Sequence, residues 1–189
     1  DTEHYQEFLD WLDSNTDVAG KFNSYRHHES HAASAALFSP FDDAMVLTLD
    51  GRGDFESGTF SFFDRSNRDC LEKLGFFDSS DSLGFFYGRI TGLLGFTPCR
   101  HEGKITGLAA HGDPDKAIGL MRQMIDLNDT TISAKLGPLF RPFYTNYDDE
   151  LIEEIGRLKR EDVAAAAQQH LEYIVVGYLQ MMADSGAIK

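Results

Sequence analysis

Apolar and polar positions along the first half of the chain predict two helices and three strands. Residues 3–14 carry apolar side chains at helical spacing, and residues 29–38 have a strong helix composition that ends before a proline. The strands are predicted at residues 44–50, 58–65 and 70–78. The first is a continuous apolar run and the other two are rich in aromatic side chains, so we expect a buried strand that opens a meander.

The second half of the chain is predicted to be mainly helical. Helices are predicted at residues 82–96, 115–126, about 147–158 and from about 161 into the low 180s, with Ser82 as the N-cap of the first. The stretch 101–114 is rich in glycine and predicts a loop, whereas 129–145 predicts irregular or weakly stranded structure. Strands followed by helices indicate an α/β or α+β unit.

The composition is that of a folded chain, either one domain or a lobe of a larger protein. Hydrophobic residues make up 42% of its 189 residues, and no apolar run approaches the roughly 18 residues that span a bilayer. The two cysteines, Cys70 and Cys99, provide no disulfide framework and favour a reducing cytoplasm, although a single bridge stays open. A formal charge of −14 without a basic cluster disfavours nucleic acid and favours a small-molecule ligand or a positively charged partner domain.

Three histidines, His27, His28 and His31, stand around the start of the second predicted helix. Residues four apart share a helical face, so His27 and His31 are a candidate pair for a divalent ion, and His28 with His31 is the alternative pair. The alanines that follow would let this helix pack closely against a sheet. Spacing alone leaves two other interpretations open: a phosphate site at the helix N-terminus, and histidines that only cap the helix.

Asp50 closes the first predicted strand, and Gly51 and Gly53 follow it in a turn. A carboxylate at the mouth of a sheet can bind a metal-bound water or a substrate hydroxyl, and glycines let backbone amides approach a phosphate. An ordinary hairpin turn explains the same residues, and by itself this stretch favours that explanation. Lys104, between two glycines, could neutralise a phosphate or could simply be solvated, since its spacing does not fit a Walker A loop.

Taken together, three stretches resemble one known family. They are "HHESHAASA", "LTLDGRGDFESGTF" and "SLGFFYGRITGLLGF…EGKITGLAAHGDP", and their order and spacing are similar to those of O-carbamoyltransferases of the NodU/CmcH type. That family includes nodulation-factor, cephem and tobramycin carbamoyltransferases. The resemblance covers residues 24–114 strongly and the C-terminal helices weakly.

The resemblance implies an α/β fold, namely part of an actin/hexokinase-like (ribonuclease H-like) lobe with a mixed sheet and packed helices. It implies that His27 and His31 help to bind a divalent metal, iron or zinc, and that a carboxylate from later in the full-length protein completes the site. Asp50, Gly51 and Gly53 match the D-G-x-G turn of the family, whereas Asp54 stands where the family pattern has Glu. On this basis Asp50 is the expected catalytic residue, and Gly51, Gly53 and Lys104 are the expected cofactor-binding residues.

The resemblance also implies a reaction. The metal contacts a carbamoyl-adenylate, which a separate adenylate-forming domain of the same full-length chain makes from ATP and carbamoyl phosphate. The carbamoyl group then passes to a hydroxyl of a small-molecule acceptor. A Lewis acid that polarises the carbonyl and a base that lowers the pKa of the hydroxyl make this chemistry reasonable.

Residues 1–189 are therefore expected to be a single segment of the metal-dependent carbamoyl-transfer domain of a cytoplasmic enzyme. The adenylate-forming domain and a glycine-rich nucleotide loop are absent from it, so the isolated segment is expected to be inactive. Two alternatives stay open at this point: a non-catalytic binding or assembly module with structural histidines, and a relative of the tRNA threonylcarbamoyl transferase.

Overall fold

A computed structural model describes residues 2–17, 23–129, 131–142 and 147–184 of the chain. Helix α1 spans Thr2–Asn15, as the apolar spacing predicts. Helix α2 spans His27–Phe38 and so begins two residues before its predicted start. As a result His27 and His28 lie inside α2 instead of leading into it, and all three histidines fall in its first two turns.

Strand β1 (Asp43–Gly53), strand β2 (Glu56–Asp64) and strand β3 (Leu71–Asp78) form an antiparallel sheet in the order β1-β2-β3. The predicted meander is therefore confirmed. A second, two-stranded antiparallel sheet consists of β4 (Ile125–Leu127) and β5 (Ile132–Ala134). The mixed sheet that the resemblance implied is wrong for the described residues, since short turns join consecutive strands and a parallel pair would need a crossover.

The helices after the meander are α3 (Leu83–Leu93), α4 (Glu102–Ala109), α5 (Ile118–Met121), α6 (Asp149–Gly156) and α7 (Arg160–Asp184). The structure is thus a mixed α/β unit with antiparallel sheets and packed helices. Its membership of the actin/hexokinase-like class stays a prediction. Within the described residues, no helix has both the length and the apolar character that crossing a bilayer requires.

Two predictions in this half are wrong. The glycine-rich stretch 101–114 contains helix α4, because Ile105 is fully buried while a Cβ at Gly103 or Gly107 would meet open space. Packing of the apolar face overrides the low helix propensity of glycine. The helix predicted at residues 115–126 is reduced to the four residues of α5, because the chain turns and buries Met124 and Ile125 through strand β4.

Helix α2 packs against the three-stranded sheet through one face. Ala32 and Ala36 are buried there in a small cluster with Val46 and Phe63. His28, one turn earlier, is only 2% exposed. The alanine run therefore does what the sequence indicated and brings the helix backbone close to the sheet.

Both ring nitrogens of His28 are hydrogen-bonded to the sheet. Nε2 lies 3.0 Å from the carbonyl oxygen of Glu56, which can only accept, so Nε2 donates. Nδ1 then accepts from the Thr48 hydroxyl at 3.0 Å. His28 is therefore a structural residue, and the alternative pair of His28 with His31 is wrong, because the His28 ring points into the sheet.

The larger core lies on the other side of β1, where α3, α4 and α7 pack together. The His170 side chain of α7 is fully buried there, and its Nε2 donates to the carbonyl oxygen of Ile125 at 2.7 Å. Burial lowers the pKa of His170, although the Ile125 hydrogen bond opposes that shift. The fold therefore favours the neutral imidazole.

We expect His28→Ala to lower the free energy of unfolding by about 2–3 kcal/mol, because it removes a buried ring and two hydrogen bonds. Urea denaturation of the metal-free chain measures this. The matched control is His31→Ala, three residues away on an exposed face, which should change stability by less than about 0.5 kcal/mol. Equal losses in the two variants would contradict the structural role of His28.

We expect stability to fall as the pH drops below about 6.5, in part because of His170. Its pKa is lower in the folded chain than in the unfolded chain, so the unfolded chain takes up the proton first and is favoured at acid pH. His170→Gln keeps a donor for Ile125 and removes the titration, so unfolding free energies measured from pH 7 to 5 should depend less on pH. The exposed replacement His4→Gln should keep the wild-type slope, and an unchanged slope in His170→Gln would contradict the assignment.

Candidate metal centre

Three side chains converge where the first two turns of α2 pass the C-terminal part of β1. Nε2 of His27 lies 2.7 Å from Oδ2 of Asp50 and 3.1 Å from Nε2 of His31. Nε2 of His31 lies 3.6 Å from the same oxygen of Asp50. The structure thus brings together the two histidines and the carboxylate that the sequence singled out. The predicted strand end at Asp50 is wrong, because β1 continues to Gly53 before the turn.

The distances among these three ligand atoms fit the coordination shell of a metal ion. Bonds of roughly 2.1 Å place neighbouring ligand atoms about 3.0–3.4 Å apart in octahedral or tetrahedral geometry. The three separations of 2.7, 3.1 and 3.6 Å bracket that range. Among the described residues, these three form the group of His, Cys, Asp and Glu side chains with ligand atoms close enough to share an ion. Two imidazoles and one carboxylate are a donor set typical of iron(II) and zinc sites.

The cluster is partly exposed to solvent. The side chains of His27, His31 and Asp50 are 40%, 54% and 43% exposed, which leaves room for further ligands. Partial burial is the largest single influence on the pKa of Asp50, and it acts to raise that pKa. The hydrogen bonds from His27 and Gly51, with the charges of the two imidazoles, outweigh it and hold the pKa of Asp50 below its usual value. The carboxylate is therefore ionised at neutral pH, as ligation requires.

The hairpin turn between β1 and β2 holds His27 in place. The Asp54 carboxylate accepts a hydrogen bond from the backbone N–H of His27 at 2.8 Å, at the N-terminus of α2. Asp54 and Phe55 both have positive φ values, 53° and 67°, which is the geometry of a tight hairpin. A Cβ at Gly53 would lie 2.2 Å from the imidazole ring of His27, so only glycine admits the ring. Gly53 therefore contacts a histidine, a role that sequence analysis missed.

Helix α3 holds Asp50 from the other side of β1. The Ser82 hydroxyl donates to the carbonyl oxygen of Asp50 at 2.9 Å and accepts from the N–H of Phe85, which confirms Ser82 as the N-cap. A Cβ at Gly84 would lie 2.6 Å from the backbone nitrogen of Gly51, so α3 approaches the strand at a point where only glycine fits. Sequence analysis identified the cap but not its contact with Asp50, which joins residues 32 positions apart.

The remaining predicted site residues have different positions. Gly51 lies in the cluster, and its N–H donates to Oδ1 of Asp50 at 2.6 Å, so this amide orients the carboxylate. Lys104 is exposed on α4, and its ammonium lies 5.7 Å from the ring centre of Phe96. The contact that places Lys104 is thus with an aromatic ring, and the structure does not bring this lysine to the His27–His31–Asp50 cluster.

Two concave surfaces flank the cluster. A cleft of about 370 Å³ is lined by Asp50, Gly51, Gly84, Tyr87 and Glu102, with apolar side chains from α3 and α7. A shallower hollow of about 490 Å³ is lined by Tyr25, His27, Ser30, His31 and Asp54. Asp50 faces the cleft and the two histidines face the hollow, so the cluster separates two spaces of the size that small ligands occupy.

Comparison with protein families matches residues 4–189 of the chain to a family described as the carbamoyltransferase N-terminus. Among curated proteins, the chain is 32% identical over 168 residues to the nodulation protein NolNO of Sinorhizobium fredii, covering 86% of this chain and 24% of that protein. It is 34% identical over 154 residues to the nodulation protein NolO of Bradyrhizobium diazoefficiens, covering 79% of this chain and 27% of that protein.

An uncharacterized protein of Methanocaldococcus jannaschii is 33% identical over 183 residues, an alignment that covers 87% of this chain and 29% of that protein. The chain therefore spans about a quarter of the length of the curated relatives it matches.

We expect Gly53→Ala to destabilise the chain by about 1–3 kcal/mol, because the new methyl group would overlap the His27 ring and force it away from Asp50. Urea denaturation measures the loss. The control is Gly103→Ala in α4, where a Cβ meets open space and where alanine should stabilise the helix by up to about 1 kcal/mol. A neutral Gly53→Ala would show that the His27 ring is not held at this position.

Proposed function

The chain belongs to the carbamoyltransferase N-terminus family, and from that premise we propose that it holds a divalent iron or zinc ion at which a carbamoyl group is passed to an acceptor hydroxyl. The observation that carries the proposal is the convergence of His27 Nε2, His31 Nε2 and Asp50 Oδ2 within 4.8 Å of one another. The carbamoyl donor, the acceptor and the adenylate-forming domain belong to the proposal for the whole protein.

The proposed transfer forms a bond between the acceptor oxygen and the carbamoyl carbon. The bond between that carbon and the phosphate oxygen of the carbamoyl-adenylate breaks, AMP departs, and the hydroxyl proton passes to a base. An ion at the cluster would supply a Lewis acid that polarises the carbonyl. The residues of this chain hold the cluster rigid and leave it accessible from the cleft and from the hollow.

Asp50 is proposed as an ion ligand and not as the base of this reaction. Its Oδ2 faces both imidazoles, and the Gly51 N–H donates to its Oδ1 at 2.6 Å, so the carboxylate is oriented to share an ion with the two imidazoles. This revises the catalytic role that the sequence suggested, and makes Asp50 a ligand in addition to the later carboxylate of the full-length protein. Gly53 and Asp54 act as positioning residues through His27.

Titration of the metal-free chain with Zn²⁺, and with Fe²⁺ under anaerobic conditions, tests the proposal by calorimetry. We expect one site per chain, with the ion held by the two imidazoles and the carboxylate. His31→Ala and Asp50→Asn should each lower the affinity by at least about tenfold, because each removes one of three ligands.

The matched control for the titration is His111→Ala, which removes an exposed histidine outside the cluster. It should leave the affinity unchanged. Absence of binding, or equal affinity in the His31 and His111 variants, would contradict the metal site and favour a binding or assembly module whose histidines are structural.

A further inference from the structure

Helix α1 carries an apolar face that is largely exposed. Tyr5, Phe8, Leu9 and Leu12 recur at the spacing of one helical face, and Trp11 borders them. Tyr5, Phe8 and Trp11 are 42%, 44% and 56% exposed. Among the side chains that the structure describes in α1, Leu12 alone is buried and Leu9 is half-buried. We call these five residues the α1 face.

The α1 face contributes nothing to the core. Within the described ranges, neither apolar cluster contains a residue of α1, and the elements that pack extensively against one another do not include this helix. A helix of 14 residues is marginal in water by itself, and helices in proteins are stabilised mainly by the packing of an apolar face. Burial of Leu12 leaves most of that face available to a further surface.

The charges around the α1 face restrict what that surface can be. Residues 1–20 contain six acidic side chains, among them Glu7, Asp10 and Asp13 of α1, and no lysine or arginine. A second copy of the chain would bring two acidic helices together, which like-charge repulsion opposes. Helices that bind anionic membranes carry lysine and arginine on their polar face, the reverse of α1. The charges therefore favour a protein surface with an apolar hollow and basic residues around it.

The lengths of the relatives indicate where such a surface lies. The alignments cover only 24% to 29% of those proteins, so most of a full-length relative lies outside the region that this chain matches. The match to the carbamoyltransferase N-terminus family begins at residue 4 and so includes nearly all of α1. Helix α1 is therefore part of the family domain and not an unrelated appended segment, and a partner surface within the same full-length protein is available to it.

We propose that the α1 face docks onto the part of the full-length protein that lies outside residues 1–189, in an apolar hollow with lysine or arginine residues at its rim. Tyr5 and Trp11 insert as the aromatic anchors, since these two residue types dominate the binding energy of protein interfaces. Glu7, Asp10 and Asp13 face the basic rim. The proposal is independent of the metal centre and of the carbamoyl transfer.

Hydrogen exchange measured by mass spectrometry on the full-length protein tests the docking. Amides of residues 8–15 should exchange at least about tenfold more slowly in the full-length protein than in the 189-residue chain, because docking suppresses fraying of α1. Amides of residues 163–170, in the buried half of α7, are the reference and should be protected in both samples. Equal exchange of α1 in the two samples, with α7 protected in both, would overturn the proposal.

Alanine variants of the full-length protein separate docking from helix formation. Tyr5→Ala and Trp11→Ala should each accelerate exchange of residues 8–15 by at least about fivefold. Alanine is the best helix former, so lost protection in these variants reports lost packing and not a weaker helix. The matched control is Gln6→Ala on the polar side of α1, where the side chain bonds to Asp10, and it should leave the exchange unchanged. Equal acceleration in Trp11→Ala and Gln6→Ala would contradict the assigned face.

Two measurements on the 189-residue chain examine the other occupants. Sedimentation should show a monomer, and a dimer that Trp11→Ala dissociates would assign the face to a second copy and overturn the proposal. Trp11 is the single tryptophan of the chain, so its fluorescence reports on α1 alone. Vesicles of phosphatidylcholine and phosphatidylserine should leave its emission unchanged, and a saturable blue shift would assign the face to a membrane and overturn the proposal.

Discussion

The position of the candidate site depends on the hydrogen bonds by which His28 holds α2 to the sheet. The ring of His28 is hydrogen-bonded to Thr48 on β1 and to the Glu56 carbonyl on β2. These bonds fix the position of α2 on the sheet and its rotation about its own axis. Ala32 and Ala36 continue the same face at intervals of four residues. Because a residue one position earlier is rotated by about 100°, His27 and His31 are then directed over the edge of β1, towards Asp50.

Two further constraints act on the same point from different elements. The β1–β2 hairpin caps α2 through Asp54 and admits the His27 ring only because residue 53 is glycine. Helix α3 bonds to the Asp50 carbonyl through Ser82. The three ligand candidates lie on α2 and β1. Strand β2, through the hairpin, and helix α3 also hold them, so the geometry does not depend on any one flexible side chain. This is the arrangement that a preorganised site requires.

Features of the site that are local in sequence could be predicted, and features that depend on packing could not. The spacing of His27 and His31 follows from the helical repeat, and Asp50 follows from the end of an apolar strand. The sequence leaves His28 with His31 open as an alternative pair, because nothing local shows which face of α2 meets the sheet. Lys104 was assigned to a loop because two nearby glycines outweighed the single buried position, Ile105, that makes the stretch a helix.

Errors in the fold have the same origin. The apolar spacing of residues 115–126 suits a helix, yet the same side chains are buried as a short helix, a turn and strand β4, which pairs with β5. The meander could be predicted because its three strands and the turns between them follow one another directly in the chain. The contact of Ser82 with Asp50 spans 32 positions, and no pattern in one sequence shows it.

The location of the cluster between two concave surfaces bears on the kind of chemistry it can perform. A site that only stores an ion needs no access for a second reactant, and burial of all three ligands would hold the ion more tightly. Here the Asp50 side opens on a cleft among α3, α4 and α7, and the histidine side opens on a hollow along α2. The proposed group transfer requires two reactants to meet at one point from different directions, and the cleft and the hollow provide two such directions. The sheet edge at Asp50 divides those directions, because β1 carries α2 on one face and α3 on the other.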